Sequence, residues 1–258
     1  MTLALTTTWR PRGELPRLKR FLPHLRELYQ HIIVVMPSDV SSSVLAQMQN
    51  LVDHAESDSS QMHTRSLAMM RALQTDAQTI QYCDLDRLIR WIETHPAELT
   101  KTTTAIQGRD VVVIGRTEAA FNTHPRALTE TETTINTVFS HLLGIKVDLG
   151  SGSKSFSRRA AEIIVQRGQT TYSPATDAEW VIWCYRAGLS IDTLWVDGLD
   201  WESADQFRDT AADKATQRAA AQAYDQRLES WHFRVQLMNR IIQGGLAAWS
   251  EPESQNNV

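Results

Sequence analysis

The chain has 258 residues, 42% of them apolar and 22% charged, with a formal net charge of −4. That length and apolar share suffice for one α/β domain with a substantial core and exclude a disordered chain. The slight acidic balance excludes the basic footprint of a nucleic-acid binder. Two cysteines, Cys83 and Cys184, are too few for a disulfide framework or a zinc cluster, and their apolar neighbours make both buried free thiols. The N-terminus lacks the basic-then-apolar pattern of a signal peptide, and no apolar run reaches the length of a membrane span. A cytoplasmic protein with no transmembrane segment is expected.

In chain order, residues 2–8 (TLALTTT) form a β-rich run that breaks at WRPRGELP. Leu15, Leu18, Leu22, Leu25 and Tyr29 follow helical spacing over 15–30. IIVVM (32–36) reads as a buried strand stopped by Pro37, and 41–54 as a second helix, followed by a polar loop, ESDSSQ. A helix is expected over 64–74 and a strand over 79–83, which runs into DLDR and a helix from about Arg87 that nears its end at Pro96. DVVVIG (110–115) is another buried strand, and 128–143 a helix with its threonines turned to solvent. A Gly/Ser loop, a short strand and a helix from about Arg158 come next. Residues 177–187 are helical with Gly188 as the C′ residue, SIDTLWV is a strand, and 204–225 and 228–249 are two tail helices. The alternation predicts a largely parallel sheet covered on both faces.

The expected organisation is one domain over 1–203, a helical extension over 204–250 and a frayed tail over 251–258. In the extension, Leu228, Trp231, Val235, Met238, Ile242 and Trp249 recur at spacings of three and four, with a last gap of seven. Such a stripe packs on its own domain or forms a homodimer through the C-terminal helix. Trp180, Trp183 and Trp195 are expected in the core, and Trp9 and Trp201 in the core or at a rim. His63, His95, His124 and His232 are assigned to no site.

Three constellations can carry chemistry. Asp84 and Asp86, two apart at the end of a strand, point to one side, where ligands bind in open α/β sheets. Paired carboxylates there can hold Mg²⁺ or Mn²⁺ against a diphosphate. Either aspartate could instead cap the following helix. The segment from Asp148 to Ala160 offers glycines for close approach, hydroxyls and Lys154, or is simply a loop before a capped helix. Asp177, opening a helix, is a candidate general base or an N-terminal helix acid.

Taken in order, SLAMMRALQTDAQTIQYCDLDR, VDLGSGSKSFSRRA and TDAEWVIWCYRAGLSI followed by LWVDGL resemble the family-two glycosyltransferases of the GT-A fold, among them dolichol-phosphate-mannose-synthase-like and glucosylglycerate-synthase-like enzymes. The likeness covers roughly residues 64–200. It implies a metal-dependent enzyme that moves a sugar from a nucleotide-diphosphate donor to a hydroxyl of a small-molecule or lipid acceptor. By position, Asp84 would lie near the ribose and metal, and Asp86 would hold the metal and diphosphate. Ser151, Gly152 and Lys154 would line the sugar or acceptor side, and Asp177 would be the base. The Thr6-to-Arg10 loop, including Thr8 and Arg10, would contact the nucleotide, with Arg71 near the phosphates. The motifs that usually end the first two strands are degenerate here: TTTW stands for Pro-Tyr-Asn, and MPSD leaves Asp39 as the only nearby acid. A GT-A domain that binds nucleotide-sugar without transferring it, or a sugar-phosphate nucleotidyltransferase, are the alternatives.

Overall fold

The structure, a computed structural model, describes residues 2–58, 64–168 and 175–251. His63 lies outside them. Seven strands form one sheet in the order β3-β2-β1-β4-β6-β5-β7. They are β1 (Leu3–Thr8), β2 (His31–Met36), β3 (His54–Ser57), β4 (Thr79–Cys83), β5 (Val111–Arg116), β6 (Ser153–Ser157) and β7 (Ile191–Val196). All pairings are parallel except those of β6, which runs against both β4 and β5.

Period-two alternation gives the inner strands two buried faces. Leu3, Leu5, Ile32, Val34, Val112 and Ile114 join one core, whereas Ala4, Ile33, Val111 and Val113 join the other. The first core is closed by α1 (Leu15–Leu28), α2 (Ser42–Gln49), α4 (Leu85–Thr94) and α5 (Pro96–Ala105). The second is closed by α3 (Thr64–Leu73), α7 (Arg126–Leu143), α8 (Arg158–Gly168), α9 (Thr176–Arg186) and α11 (Leu228–Ser250). Two further helices are α6 (Glu118–Phe121) and α10 (Lys214–Asp225). With both faces covered, continuous apolar runs such as IIVVM and VVVI are what the sheet requires.

Three expectations are corrected. The second helix stops at Gln49, and His54–Ser57 form the edge strand β3 against β2. The helix α4 ends at Thr94, just before Pro96 as expected, and Pro96 then opens α5 at its first turn, where its missing N–H is not needed. Residues 206–213 are not helical: Asp205 accepts the Ala212 N–H and is clamped by Arg17 and Arg90, so the segment wraps over α1 and α4. Trp195 is not a core residue but 38% exposed, because β7 is the edge strand.

Gly188, with φ of +77°, ends α9 as expected, and both cysteines are buried and free. Of the α7 threonines, Thr133, Thr134 and Thr137 face solvent, whereas Thr131 is buried and donates to the Ala127 and Leu128 carbonyls. The tail helix α11 seats Ile241, Gly245 and Ala248 on α7 and α9, within its own chain. A Cβ at Gly245 would lie 2.2 Å from Phe139, so glycine is what lets the helices approach. Leu228 and Val235, both in the predicted stripe, stay exposed. Among the described residues no helix is long and apolar enough to cross a membrane.

Candidate functional site

The parallel strands β1, β2 and β4 end together, and β6 begins at the same edge, where Cys83 faces Ser153. That antiparallel start brings the loop after Asp148 against the end of β4. The loop makes a 3-10 turn over Leu149–Ser151 and leaves it through Gly152, at φ of +70°. The Asp84 N–H donates to the Gly152 carbonyl at 3.0 Å. A Cβ on Gly152 would come within 2.6 Å of the Asp84 carboxylate, so only glycine fits both the left-handed backbone and the approach.

Asp84 is the N-cap residue of α4, and Asp86 lies in its first turn, since the helix begins at Leu85 rather than near Arg87. The Asp84 side chain makes no capping bond. It is held from the sheet instead: Thr8 Oγ1 and the Tyr82 hydroxyl are 2.8 Å apart, and that hydroxyl donates to Asp84 Oδ1 at 2.5 Å. The Asp86 Oδ1 accepts from the Arg87 N–H at 2.9 Å.

A cavity of about 450 Å³ opens over this edge. Thr8, Arg10, Asp84, Asp86 and Asp177, all singled out in the sequence, line it, together with Arg12, Arg65, Arg87 and Glu202, which were not. A continuation of about 360 Å³ shares Arg12, Arg65, Asp84, Arg87 and Asp177, and reaches Glu132 on α7 and Phe233, Arg234 and Met238 on α11.

Two groups of charge face the cavity. In the first, Arg65 bridges Asp84 at 3.2 Å and Asp177 at 2.8 Å, and stacks over the Tyr82 ring. Lys154 Nζ adds a bond to Asp177 at 3.1 Å and donates to the Leu149 carbonyl at 2.8 Å. Against the cost of burial, Arg65 and Lys154 hold the Asp177 carboxyl well below the usual carboxylate range. A carboxylate so held is a weaker proton acceptor than a free one.

In the second group, Arg87 Nε stands 3.5 Å from Glu202 and 3.9 Å from Asp84, and Asp86 lies beside them at the start of α4. Burial, with Glu202 and then Asp84 as like charges, pushes the Asp86 carboxyl up to about 7. Glu202 is 8% exposed; its Oε1 accepts from Ser203 Oγ, and its Oε2, the oxygen facing Arg87, accepts no hydrogen bond among the described residues.

The other predicted residues fall elsewhere. Lys154 and Ser151 are buried beneath the cavity rather than lining it: Ser151 Oγ bonds the Ser153 backbone, and the Ser151 carbonyl accepts from Arg87. They and Gly152 form the floor that fixes Asp84. Arg71 points away and pairs with Glu56 on β3 at 2.6 Å, so it is not near the cavity. Asp39 stands at the rim, exposed and paired with Arg10 at 3.0 Å. His124 is buried, and it, His95 and His232 are outside the cavity lining.

No family model matches the chain, and no curated protein matches it. Solved structures do. Glucosyl-3-phosphoglycerate synthase from Mycobacterium tuberculosis in complex with phosphoglyceric acid aligns with 98% of this chain and 81% of its own, at 11% identity and a TM-score of 0.54. A crystal structure described as a mycobacterial protein aligns over 98% and 76%, at 12% identity and a TM-score of 0.57. The same synthase with Mn²⁺, uridine-diphosphate-glucose and phosphoglyceric acid aligns over 98% and 81%, at 11% identity and a TM-score of 0.52. The fold of the chain is accordingly the GT-A fold, with its mostly parallel seven-stranded sheet between helical layers. At these identities the likeness is one of fold.

Proposed function

We propose that the chain is a nucleotide-sugar glycosyltransferase whose donor diphosphate and a divalent cation meet at Asp86 and Glu202. The observation that carries this reading is the second charge group: half-buried Asp86 and buried Glu202 both line the cleft, with Arg87 as the cation beside Glu202. Oxygen donors in excess of positive charge suit a hard cation. Among the described residues no cluster of three or more His, Cys, Asp or Glu could hold a metal. Mg²⁺-type sites that serve phosphates commonly use one or two carboxylates, completing the shell with phosphate oxygens and water. Asp86 and Glu202 would supply the carboxylates, and Asp84, fixed by Tyr82 and Gly152, would face the donor. Bound there, the cation would neutralise charge that develops on the leaving nucleoside diphosphate.

Around that point the chain's own side chains orient the donor. Arg65, anchored on Asp84 and Asp177, presents a fixed guanidinium to the cavity, and Arg12 lines both of its parts. Guanidinium groups bind phosphates through paired N–H donors. Asp177 acts here by holding Arg65. The continuation toward α7 and α11 leaves room for an acceptor hydroxyl.

A thermal-shift screen tests the reading. The wild type and Asp86→Asn are compared against UDP, GDP, ADP and their sugars, with and without Mn²⁺. At about a hundred times Kd, binding adds roughly 2.7 kcal/mol of stability, which shows as a rise in Tm. One nucleotide is expected to shift the wild type only with Mn²⁺, and the variant not at all. A folded wild type indifferent to every nucleotide would overturn the proposal.

A further inference from the structure

A second cavity, of about 690 Å³, lies on the α7 side of the sheet at the edge strand β7, and shares no lining residue with the cleft. An ion-pair cluster separates the two. Buried Arg116, at the end of β5, binds Asp148 through Nε and Nη2, and Nη2 also binds Glu132. Glu132 faces the cleft, whereas Arg116 and Asp148 face the second cavity. The remaining guanidinium nitrogen, Nη1, is buried with no partner, in a residue only 2% exposed.

The lining has a definite chemical character. Trp195 and Phe121 offer aromatic surface, and Trp195 is 38% exposed. Between them α7 presents Thr133, Asn136, Thr137 and Ser140. Their capacity is only partly used. Thr137 donates to the Thr133 carbonyl and keeps its acceptor lone pairs, and Ser140 accepts from the Val147 N–H and keeps its donor. Asn136 gives one amide hydrogen to Asp148 and accepts from the Leu149 N–H, which leaves one hydrogen. Lys146 brings its ammonium to 4.8 Å from the Trp195 ring centre and makes no ion pair with an acid among the described residues.

We infer that this cavity is a second ligand site, for a neutral or singly anionic saccharide. A pyranose has what the walls lack: hydroxyls that both donate and accept, and an apolar C–H face for an aromatic ring. The two cations of the lining, Lys146 and Arg116, are offset by Glu118 and Asp148, which suits a neutral sugar or one with a single carboxylate, whereas a diphosphate would meet too few cations. The inference does not rest on the reading of the cleft. It does place a saccharide behind Asp148, where the loop that ends at Gly152 begins.

Saturation-transfer NMR with maltose and with glucuronate as probes tests it. Wild type is expected to give transfer to at least one sugar. Thr137→Arg, which fills the cavity from an exposed helix position, and Trp195→Ala should each reduce the signal at least tenfold. Asp86→Asn, in the cleft, should retain it. Transfer to neither sugar, or a signal lost in Asp86→Asn and kept in Thr137→Arg, would overturn the assignment. Unchanged circular dichroism of Thr137→Arg keeps the result readable should Trp195→Ala fold poorly.

Discussion

The acids on the cleft floor stand in two different states. Asp84 and Asp177 are matched by Arg65 and Lys154, two charges against two, with every bond between 2.8 and 3.3 Å. Asp86 and Glu202 have only Arg87 close by, and its Nε stands 3.5 Å from a Glu202 oxygen that accepts no hydrogen bond among the described residues. The first group is complete and needs no ligand to be stable. The second is unfinished: its repulsion is relieved only by a proton or by a cation. Matched charge builds the scaffold, and unmatched charge marks where something binds.

Breaking the matched group should have the largest effect. Lys154 is 2% exposed, and Lys154→Met leaves the Leu149 carbonyl and part of the Asp177 charge without a donor. Removing one partner of a buried pair costs about 3–5 kcal/mol. For a domain of this size that is a fall in Tm of roughly 6–20 °C. A loss below about 2 °C by calorimetry would mean that the group is not the scaffold described.

The unmatched group should respond in the opposite sense, and to pH. A carboxyl whose pKa is raised on folding binds its proton more tightly in the folded state. Its contribution is therefore favourable at low pH and is lost as pH climbs from about 4, the unfolded value, through about 7. In metal-free protein, Asp86→Asn should flatten that decline and raise Tm at pH 8 by about 2–4 °C, the equivalent of roughly 1 kcal/mol. Urea unfolding of both proteins at pH 5 and pH 8 measures it. A variant less stable than wild type at pH 8 would show that Asp86 is not under repulsion.

The strands were legible because buried strands must be apolar on both faces, and five of the seven are continuous runs or clear alternations. The edge strand β3 was not: HAES pairs only with β2 and needs no apolar face. The acids at Asp84 and Asp86 could be read from their place after a strand. Glu202 could not, because nothing around it in the sequence says that the turn after Trp201 folds back over α4. A hint did exist for Arg65. The helix that carries it is legible from its spacing, but the resemblance points to Arg71 for the phosphates. Six residues at 100° each put Arg71 about two-thirds of a turn further round, facing β3 instead of the cleft.

That difference within one helix gives the smallest predicted effect. Arg71 and Glu56 form a bidentate pair, at 2.6 and 3.0 Å, but both side chains are about a quarter exposed, at 28% and 24%. Arg71 lowers the Glu56 carboxyl and is itself raised by it, so the pair is real, yet solvent screens it. Pairs of this kind contribute about 0.2–1 kcal/mol. Arg71→Ala should therefore lower Tm by no more than about 4 °C and leave any Mn²⁺-dependent nucleotide shift intact. Arg65→Ala should abolish that shift, because it removes the one guanidinium tied to both Asp84 and Asp177. Equal loss of the shift in the two variants would return Arg71 to the phosphate site, and with it the alignment that the sequence alone suggests.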